Sequence, residues 1–164
     1  MSAALRVQRL GALLLIVLIT TFALLATSAA IAPDADAASD AKVKKAFRVA
    51  KRQIGDPYNY GSTGPNRFDC SGLLYFAFKK RTGLHIPRVS RDQYRYARSI
   101  KKSKLRKGDL MAFYSSSGSI YHIGLFAGWN NGKRIILHSP STGSKVHRSP
   151  LWTKRWKAAT LRSR

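Results

Sequence analysis

The pattern of apolar and polar positions divides the chain into a helical first part and a strand-rich second part. Apolar residues recur at helical spacing over residues 43–54, and the apolar run 73–78 is spaced for a helix that buries most of its surface. Later runs are short and β-like, with turns rich in serine, asparagine and glycine between them. They cover residues 109–114, 120–126, 134–138, 145–148 and 158–162. This order predicts an α+β domain with N-terminal helices and a five- to six-stranded, mainly antiparallel sheet.

The first 37 residues have the character of an export segment. Arg6 and Arg9 precede an uncharged stretch over residues 10–32, and small residues accompany its end. We therefore predict a signal peptide over residues 1–37 and one domain over residues 38–164. An uncleaved N-terminal membrane anchor is the alternative, because the uncharged stretch approaches the roughly 20 residues that a membrane helix needs. Both interpretations place the domain outside the cytoplasm, as a secreted or cell-wall-associated protein.

The single cysteine, Cys70, stands just before the second apolar run. Unpaired backbone N–H groups at a helix start favour an anion, which predicts a thiol pKa below about 8.5, its unperturbed value. The alternative is that Cys70 is a small buried hydrophobic residue, as many free cysteines are. Exported chains usually pair their cysteines, and this one has no partner within the chain. That observation favours a reactive thiol.

Two histidines in strand-like runs are candidates for the base that such a thiol needs. If their strands pair through a turn at 129–133, equal offsets place His122 opposite His138. One imidazole can then take the thiol proton while the second fixes its tautomer. A hydrogen-bonded core histidine is the alternative for His122 alone. His85, in a turn, and His147, on a strand that looks exposed, fit the role less well.

Five segments in order resemble the NlpC-type cell-wall cysteine peptidase family, and the likeness covers roughly residues 43–162. They are Tyr58-x-Tyr60-Gly61, Asp69-Cys70-Ser71-Gly72, Lys107-Gly108-Asp109-Leu110, Tyr121-His122-Ile123-Gly124 and Leu137-His138-Ser139. The resemblance implies a papain-like α+β fold, with the nucleophile at a helix start packed against a sheet that carries the histidines. It also implies hydrolysis of peptidoglycan stem peptides, typically between D-γ-glutamyl and a diamino acid.

The resemblance assigns a role to each matching position. Cys70 would be the nucleophile, His122 the base and His138 the orienting third member. No cofactor is implied, and the Cys-Ser-Gly sequence lacks the ligand-pair spacing of a zinc site.

Three further positions would contact the substrate. Tyr58 would lie near the oxyanion together with the Cys70 backbone N–H. Asp69 and Ser71 resemble residues that hold the free amino end of a stem peptide in some family members, although Asp69 could instead cap the helix. The sequence Gly61-Ser62 departs from the more usual Gly-Gly, which leaves the shape of this loop open.

The charge of the chain points to anionic partners. Thirty lysines and arginines against seven aspartates give a formal net charge of +23, which removal of residues 1–37 leaves unchanged. Such a charge attracts polyanions, which outside a bacterium are teichoic-type polymers, acidic lipids and the wall itself. A solvated basic surface without a selected partner is the alternative. Nucleic acid is disfavoured by the export segment and by the lack of a clustered basic helix with base-reading side chains.

Three functions fit the pattern. The first is a secreted cysteine endopeptidase of peptidoglycan. The second is a non-catalytic wall-binding domain on the same fold, and the third is a thiol amidase or acyltransferase, because one fold hosts several reactions.

Overall fold

In the computed structural model, which describes residues 40–163, six antiparallel strands form one sheet against which helices pack. The helices are α1 (Asp40–Arg52), α2 (Cys70–Tyr75) and α3 (Ser90–Tyr96), with π-helical Phe76–Lys80 directly after α2 and a 3-10 turn at Lys102–Lys104. The strands are β1 (Arg98–Ile100), β2 (Leu110–Tyr114), β3 (Ile120–Asn130), β4 (Lys133–His138), β5 (His147–Pro150) and β6 (Trp156–Thr160). Their order is β1-β6-β2-β3-β4-β5. The predicted signal peptide lies outside the described residues.

Each face of the sheet has its own apolar cluster. Along β2, Leu110 and Ala112 join the larger cluster beneath the helices, whereas Met111 and Phe113 join a smaller one on the opposite face. This is the alternation that a strand covered on both faces requires. Four residues of the predicted stripe of α1 belong to the larger cluster, namely Val43, Ala46, Phe47 and Ala50, whereas Ile54 lies beyond the helix and is exposed. Within residues 40–163, no helix is long and apolar enough to cross a membrane.

The predicted strands differ from the observed ones mainly at the sheet edges. β1 was not predicted, because three residues paired only with β6 are too few to show alternation. β5 and β6 begin two residues away from the predicted runs, at His147 and Trp156. The cysteine helix ends as predicted at Gly83, whose φ of 69° lets it follow the last helical turn.

The β3–β4 hairpin keeps His122 and His138 on one face, but its register is not the predicted one. Leu125 lies opposite Leu137, whereas the predicted pairing places it opposite Ile135. The difference is two residues, and only an odd shift moves a side chain to the other face. The two histidines are therefore diagonal neighbours, still within reach of each other.

The shape of the hairpin explains this register. Its turn is the two-residue sequence Asn131-Gly132, both at positive φ (46° and 72°), which is the conformation of a tight hairpin turn. This turn lies further along the chain, towards β4, than the centre of the predicted pairing. A bulge in β3 between Phe126 and Gly128 then shifts the pairing by one residue before the histidines are reached.

A buried ion network joins the end of the domain to its first helix. The Asp109 carboxylate is fully buried and accepts from the Thr160 hydroxyl at 2.5 Å and from the Arg162 guanidinium. Arg162 also bonds Asp40 of α1 at 2.5 Å and the Lys107 carbonyl at 2.7 Å. The Lys107-Gly108-Asp109 turn is thereby fixed between α1 and β6.

Candidate active site

Cys70 is the first residue of α2, as the sequence predicts. Asp69 caps the helix, with an extended backbone (φ −90°, ψ 179°) and an Oδ1 atom that accepts the Gly72 N–H at 2.6 Å. The Leu73 N–H donates to the Asp69 carbonyl at 3.1 Å and closes the first turn. The Cys70 N–H, at the first helical position, has no carbonyl of its own helix to bond. It is therefore a backbone donor directly beside the thiol.

The helix start is held by a close approach of backbone to backbone. The loop before it passes over Gly72, where a Cβ atom would lie 1.9 Å from the Ser62 carbonyl oxygen. That oxygen accepts the Asp69 N–H at 3.1 Å. The Ser62 hydroxyl bonds the Asn59 amide at 2.5 Å, so the departure from Gly-Gly at Gly61-Ser62 is accommodated within the loop. Gly72 is glycine because the loop leaves no room for a side chain.

The Asp69 carboxylate is engaged on every side. It accepts the Gly61 N–H at 2.9 Å and two N–H groups of Arg88 at 2.5 and 3.1 Å. Arg88 also donates to the Ser71 hydroxyl at 2.9 Å. The structure thus gives Asp69 the capping role that the sequence left as an alternative. It also shows that Arg88 contacts both Asp69 and Ser71. Contact of Asp69 and Ser71 with the amino end of a stem peptide stays a prediction.

Tyr58 lines the same cavity as the thiol. Its backbone N–H donates to the Ser144 carbonyl at 2.9 Å, which ties the loop to the segment after β4. Burial raises the pKa of its phenol, and negative charge at Cys70 or Asp69 raises it further. The hydroxyl is consequently neutral at pH 7 and can donate a hydrogen bond.

His122 and His138 form a hydrogen-bonded chain within the sheet. His122 Nε2 lies 2.9 Å from His138 Nδ1, and His138 Nε2 lies 3.0 Å from the Ser149 hydroxyl. Both rings are buried, at 5% and 3% exposure. Burial lowers the pKa of His122 to about 4, and burial together with its histidine neighbours lowers that of His138 to about 3. Both imidazoles are therefore neutral at pH 7.

Aromatic rings enclose the histidine pair. Trp152 stacks on Phe113 with ring centroids 4.5 Å apart and on His138 at 5.3 Å. The ring of His147 contacts His138 from β5 at 4.9 Å. His147 is thus half-buried beside the pair, which corrects its assignment to an exposed strand. These contacts hold the His138 ring in place and keep water from it.

The thiol itself differs from the sequence-based expectation. Burial raises the pKa of Cys70, and the negative charge of Asp69 raises it further. Hydrogen bonds from the backbone of Ile123 and Ser71 act in the opposite direction but do not compensate. The expectation of a lowered thiol pKa is wrong because the helix start is buried and its cap is an anion. At neutral pH the free site contains a neutral thiol and a neutral imidazole.

One cavity of about 530 Å³ unites these groups. Five of the six predicted site residues line it, namely Tyr58, Asp69, Cys70, Ser71 and His122, and His138 lies behind His122. In the part of the chain that the structure describes, no cluster of three or more histidine, cysteine or acidic side chains is arranged to hold a metal ion. The arrangement suits attack by a thiol on a carbonyl group, with a buried histidine as base.

Three residues of the site were missed by the sequence analysis. Arg88 follows a proline in a stretch that shows only the approach to α3, and its contact with Asp69 spans 19 positions. Ser149 and Trp152 lie after β4 in a segment without a motif. The one available signal for Arg88 was a cation in an otherwise apolar stretch. No signal in the sequence indicated Ser149 or Trp152.

The sequence profile of the NlpC/P60 family matches residues 55–164. Murein DD-endopeptidase MepH of Escherichia coli (strain K12) is 39% identical over 127 residues, covering 73% of this chain and 45% of that protein. A gamma-D-glutamyl-L-lysine dipeptidyl-peptidase of Bacillus subtilis (strain 168) is 38% identical over 95 residues, covering 57% of this chain and 30% of that protein. The chain thus spans less than half the length of either relative.

A solved structure shows the same architecture. The peptidoglycan hydrolase RipB from Mycobacterium tuberculosis superposes with a TM-score of 0.62 at 30% identity, over 76% of this chain and 66% of that one. This likeness, with the six-stranded antiparallel sheet and the helix that begins at the cysteine, confirms the papain-like α+β fold.

Proposed function

The chain belongs to the NlpC/P60 family, and we propose that it is a secreted cysteine endopeptidase that hydrolyses the stem peptides of peptidoglycan. One observation carries the proposal: Cys70, at a helix N-terminus, and His122 line a single cavity, with His138 bonded behind His122. The substrate class is supported by the relatives, of which one is named a murein endopeptidase and one a peptidoglycan hydrolase.

One arrangement of protons makes His122 a base. When His122 Nε2–H donates to His138 Nδ1 and His138 Nε2–H donates to Ser149, the Nδ1 atom of His122 is left unprotonated. This nitrogen is the acceptor for the thiol proton. Because the pKa of His122 is about 4, the ring is unprotonated across the neutral pH range and its free nitrogen can accept a proton.

The reaction then runs in two steps. Cys70 Sγ attacks the carbonyl carbon while its proton passes to His122. His122 then gives this proton to the leaving amine, and the acyl group stays on Cys70 as a thioester. Water then attacks the thioester, giving a proton to His122, and the thiol is regenerated as the acid departs. In both steps the Cys70 N–H and the Tyr58 hydroxyl would donate hydrogen bonds to the oxyanion.

The bond proposed for cleavage joins D-γ-glutamate to a diamino acid. A γ-linked glutamate keeps its α-carboxylate free, and Arg88 presents a guanidinium, about one third exposed, to the cavity beside the thiol. An arginine is well suited to bind a carboxylate through two parallel hydrogen bonds. The name of the Bacillus subtilis relative describes this bond type, whereas the Escherichia coli relative is named for a DD bond. A DD bond is therefore the second candidate.

Export is the part of the proposal that rests on residues 1–37. Their basic start and apolar centre support secretion, and an uncleaved anchor remains the alternative. Fractionation of cells that produce the full chain, with N-terminal sequencing of the product, decides the question. A product that stays in the cytoplasm at full length would contradict export in either form.

Mass spectrometry of released wall fragments tests the activity. Protein beginning at residue 38 is incubated with purified peptidoglycan beside its Cys70→Ala and His122→Ala variants, and His85→Ala serves as an exposed-histidine control. We expect fragments that end at D-glutamate with the unchanged protein and the control, and none with the first two variants.

Other outcomes assign the other functions. Opening of cross-linked dimers without new D-glutamate ends would move the activity to the DD bond. Binding to the wall without any release would leave a non-catalytic binding domain. Turnover of an ester or amide acceptor, but of no stem peptide, would indicate an acyltransferase or amidase.

A further inference from the structure

Two neighbouring cavities on the surface are lined mainly by cations. One, of about 470 Å³, lies between α1 and the turn before β2, and Arg48, Lys51 and Lys107 contribute to it. The other, of about 490 Å³, follows the edge strand β1, and Arg98 and Lys101 contribute to it. Arg106 lines both. We refer to these two cavities together as the basic groove.

The acidic side chain of the basic groove is already paired with cations. Among the described residues Asp40 is the one acidic side chain that lines it, and Asp40 is bonded to Lys44 at 2.6 Å and to Arg162 at 2.5 Å. Lys44 and Arg162 hold the pKa of Asp40 at about 2, so it remains ionised and paired. Within residues 40–163, the exposed cations of the groove other than Lys44 have no carboxylate within ion-pair distance. They are Arg48, Lys51, Arg98, Lys101, Lys104, Arg106 and Lys107.

The turn at the centre of the groove is fixed before any ligand arrives. The Arg106 N–H donates to the Asp109 carboxylate at 2.7 Å, and the Gly108 N–H donates to the Phe126 carbonyl at 2.9 Å. The Lys107 carbonyl is bonded by Arg162, which is 4% exposed. Arg106 and Lys107 therefore project from a rigid backbone, which reduces the entropy lost when they bind a ligand.

We propose that the basic groove binds a phosphodiester polymer of the cell envelope, of the teichoic type. The inference deepens the proposed function and rests on the proposed export, because it names what holds the enzyme at the wall. Two cationic cavities that share Arg106 suit a chain of anions better than one small ion. Each phosphodiester presents paired oxygens that match the fork of an arginine and carries its charge at every physiological pH.

The groove does not suit a nucleic acid strand. Proteins that bind single strands stack the bases on aromatic side chains, and Phe47, the single aromatic ring that lines the groove within the described part of the chain, is 8% exposed. A polymer without bases does not depend on such stacking, so the lack of exposed aromatic rings does not weaken its binding. None of the groove residues lines the cavity of Cys70, so that polymer and stem peptide can be bound together.

A charge-matched pair of variants tests the groove against net charge alone. The groove variant carries Arg48→Gln, Lys51→Gln and Arg106→Gln, and the control carries Lys133→Gln, Arg148→Gln and Arg155→Gln. Each removes one lysine and two arginines, and all six side chains are exposed. Both are made in full-length Cys70→Ala protein, so that the binding measurement does not depend on catalysis. Affinity for purified glycerol-phosphate teichoic acid is measured from low to high salt.

We expect the groove variant to bind the teichoic acid about tenfold more weakly than the control does at roughly 0.1 M salt. We also expect its plot of log affinity against log salt to be flatter by about two, since each lost phosphate contact removes roughly 0.7 from the slope. Equal weakening of both variants would overturn the proposal, because net charge would then explain the binding. Tighter binding of an oligodeoxynucleotide of equal charge to the groove would overturn the choice of polymer.

Catalysis gives an independent measurement of the same surface. In protein that retains Cys70, the groove variant should cleave a soluble stem peptide as fast as the control does. On walls that bear teichoic acid it should release fragments more slowly, and on walls stripped of the polymer the two should be equal. Failure of every Cys70 protein to cleave any substrate would contradict the proposed activity and leave the binding result unaffected.

Discussion

The two sides of the cleft are built by different means. On the thiol side, position is set by the backbone: Cys70 begins a helix whose cap, Asp69, is bonded by main-chain N–H groups, and the loop passes over Gly72 with no room for a side chain. On the imidazole side, position is set by side chains, because His122 is held by a ring that is itself held by a hydroxyl. The first side tolerates almost no change of shape, and the second depends on a relay of polar contacts.

The electrostatics of the two sides differ in the same way. The thiol lies beside an ion pair of Asp69 and Arg88 that remains partly exposed, whereas His122 and His138 are neutral rings among aromatic neighbours. Burial raises the pKa of the thiol and lowers that of both histidines. Both shifts favour the uncharged thiol and the uncharged imidazoles in the free site.

Gly72→Ala should have the largest effect, because it strikes the side that is set by the backbone. Its Cβ atom would overlap the Ser62 carbonyl, and the loop or the helix start must move by more than an ångström. We expect kcat/KM to fall by at least about 100-fold and the free energy of unfolding to fall by about 3 kcal/mol. Chemical denaturation and stem-peptide cleavage measure the two quantities.

Gly118→Ala is the control for this substitution. A Cβ atom there meets nothing within 4 Å, although its φ of 81° imposes backbone strain. It should cost about 1–2 kcal/mol of stability and leave activity unchanged. Equal activity of the two variants would show that the close approach at Gly72 does not position the thiol.

His138→Ala tests the relay on the other side. Without this ring His122 loses the partner that fixes its tautomer, and we expect kcat to fall by roughly 100-fold with little change in KM. His138→Asn keeps a polar side chain beside His122 and should recover part of the loss, whereas His85→Ala should lose nothing. If His138→Ala kept the full kcat, His138 would have no role in catalysis.

The sequence predicted more of the polar relay than of its surroundings. His122 and His138 stand in apolar strand-like runs, where a titratable residue is conspicuous, and the even period of a strand kept them on one face although the register was two residues off. Cys70 was placed at a helix start by the apolar run that follows it in the chain. These signals are local in the sequence, so they remain valid even when the strand register is predicted wrongly.

What the sequence did not show depends on contacts between distant segments. Arg88 meets Asp69, and Trp152 covers His138, only after the sheet has formed. The pKa of Cys70 was predicted in the wrong direction for a related reason. The helix start is visible in the sequence, but the burial of the thiol that outweighs it is a property of the packed domain.

Stability should depend on pH through the imidazole side. Both histidines bind protons less readily in the folded protein than when unfolded, so the unfolded state takes up more protons below pH 6.5 and unfolding becomes easier as the pH falls. Between pH 7 and 5 we expect a loss of about 2 kcal/mol for each buried ring. Asp40, with its pKa at about 2, adds nothing in this range.

Urea denaturation at a series of pH values measures this loss. The double variant His122→Gln, His138→Gln should show a flatter dependence on pH, and His85→Asn should retain the slope of the unchanged protein. A slope that persists in the double variant would mean that the acid sensitivity comes from elsewhere in the domain.

Ser149→Ala should have the smallest effect, because the relay is more exposed at its far end. The Ser149 hydroxyl lies 3.0 Å from His138 Nε2, and its side chain is half-buried, so that water can replace it. We expect a loss of about 1 kcal/mol in stability and of about fivefold in kcat, with recovery in Ser149→Thr and no change in the exposed control Ser103→Ala. A loss as large as that of His138→Ala would show that the hydroxyl, rather than the second imidazole, sets the tautomer of His122.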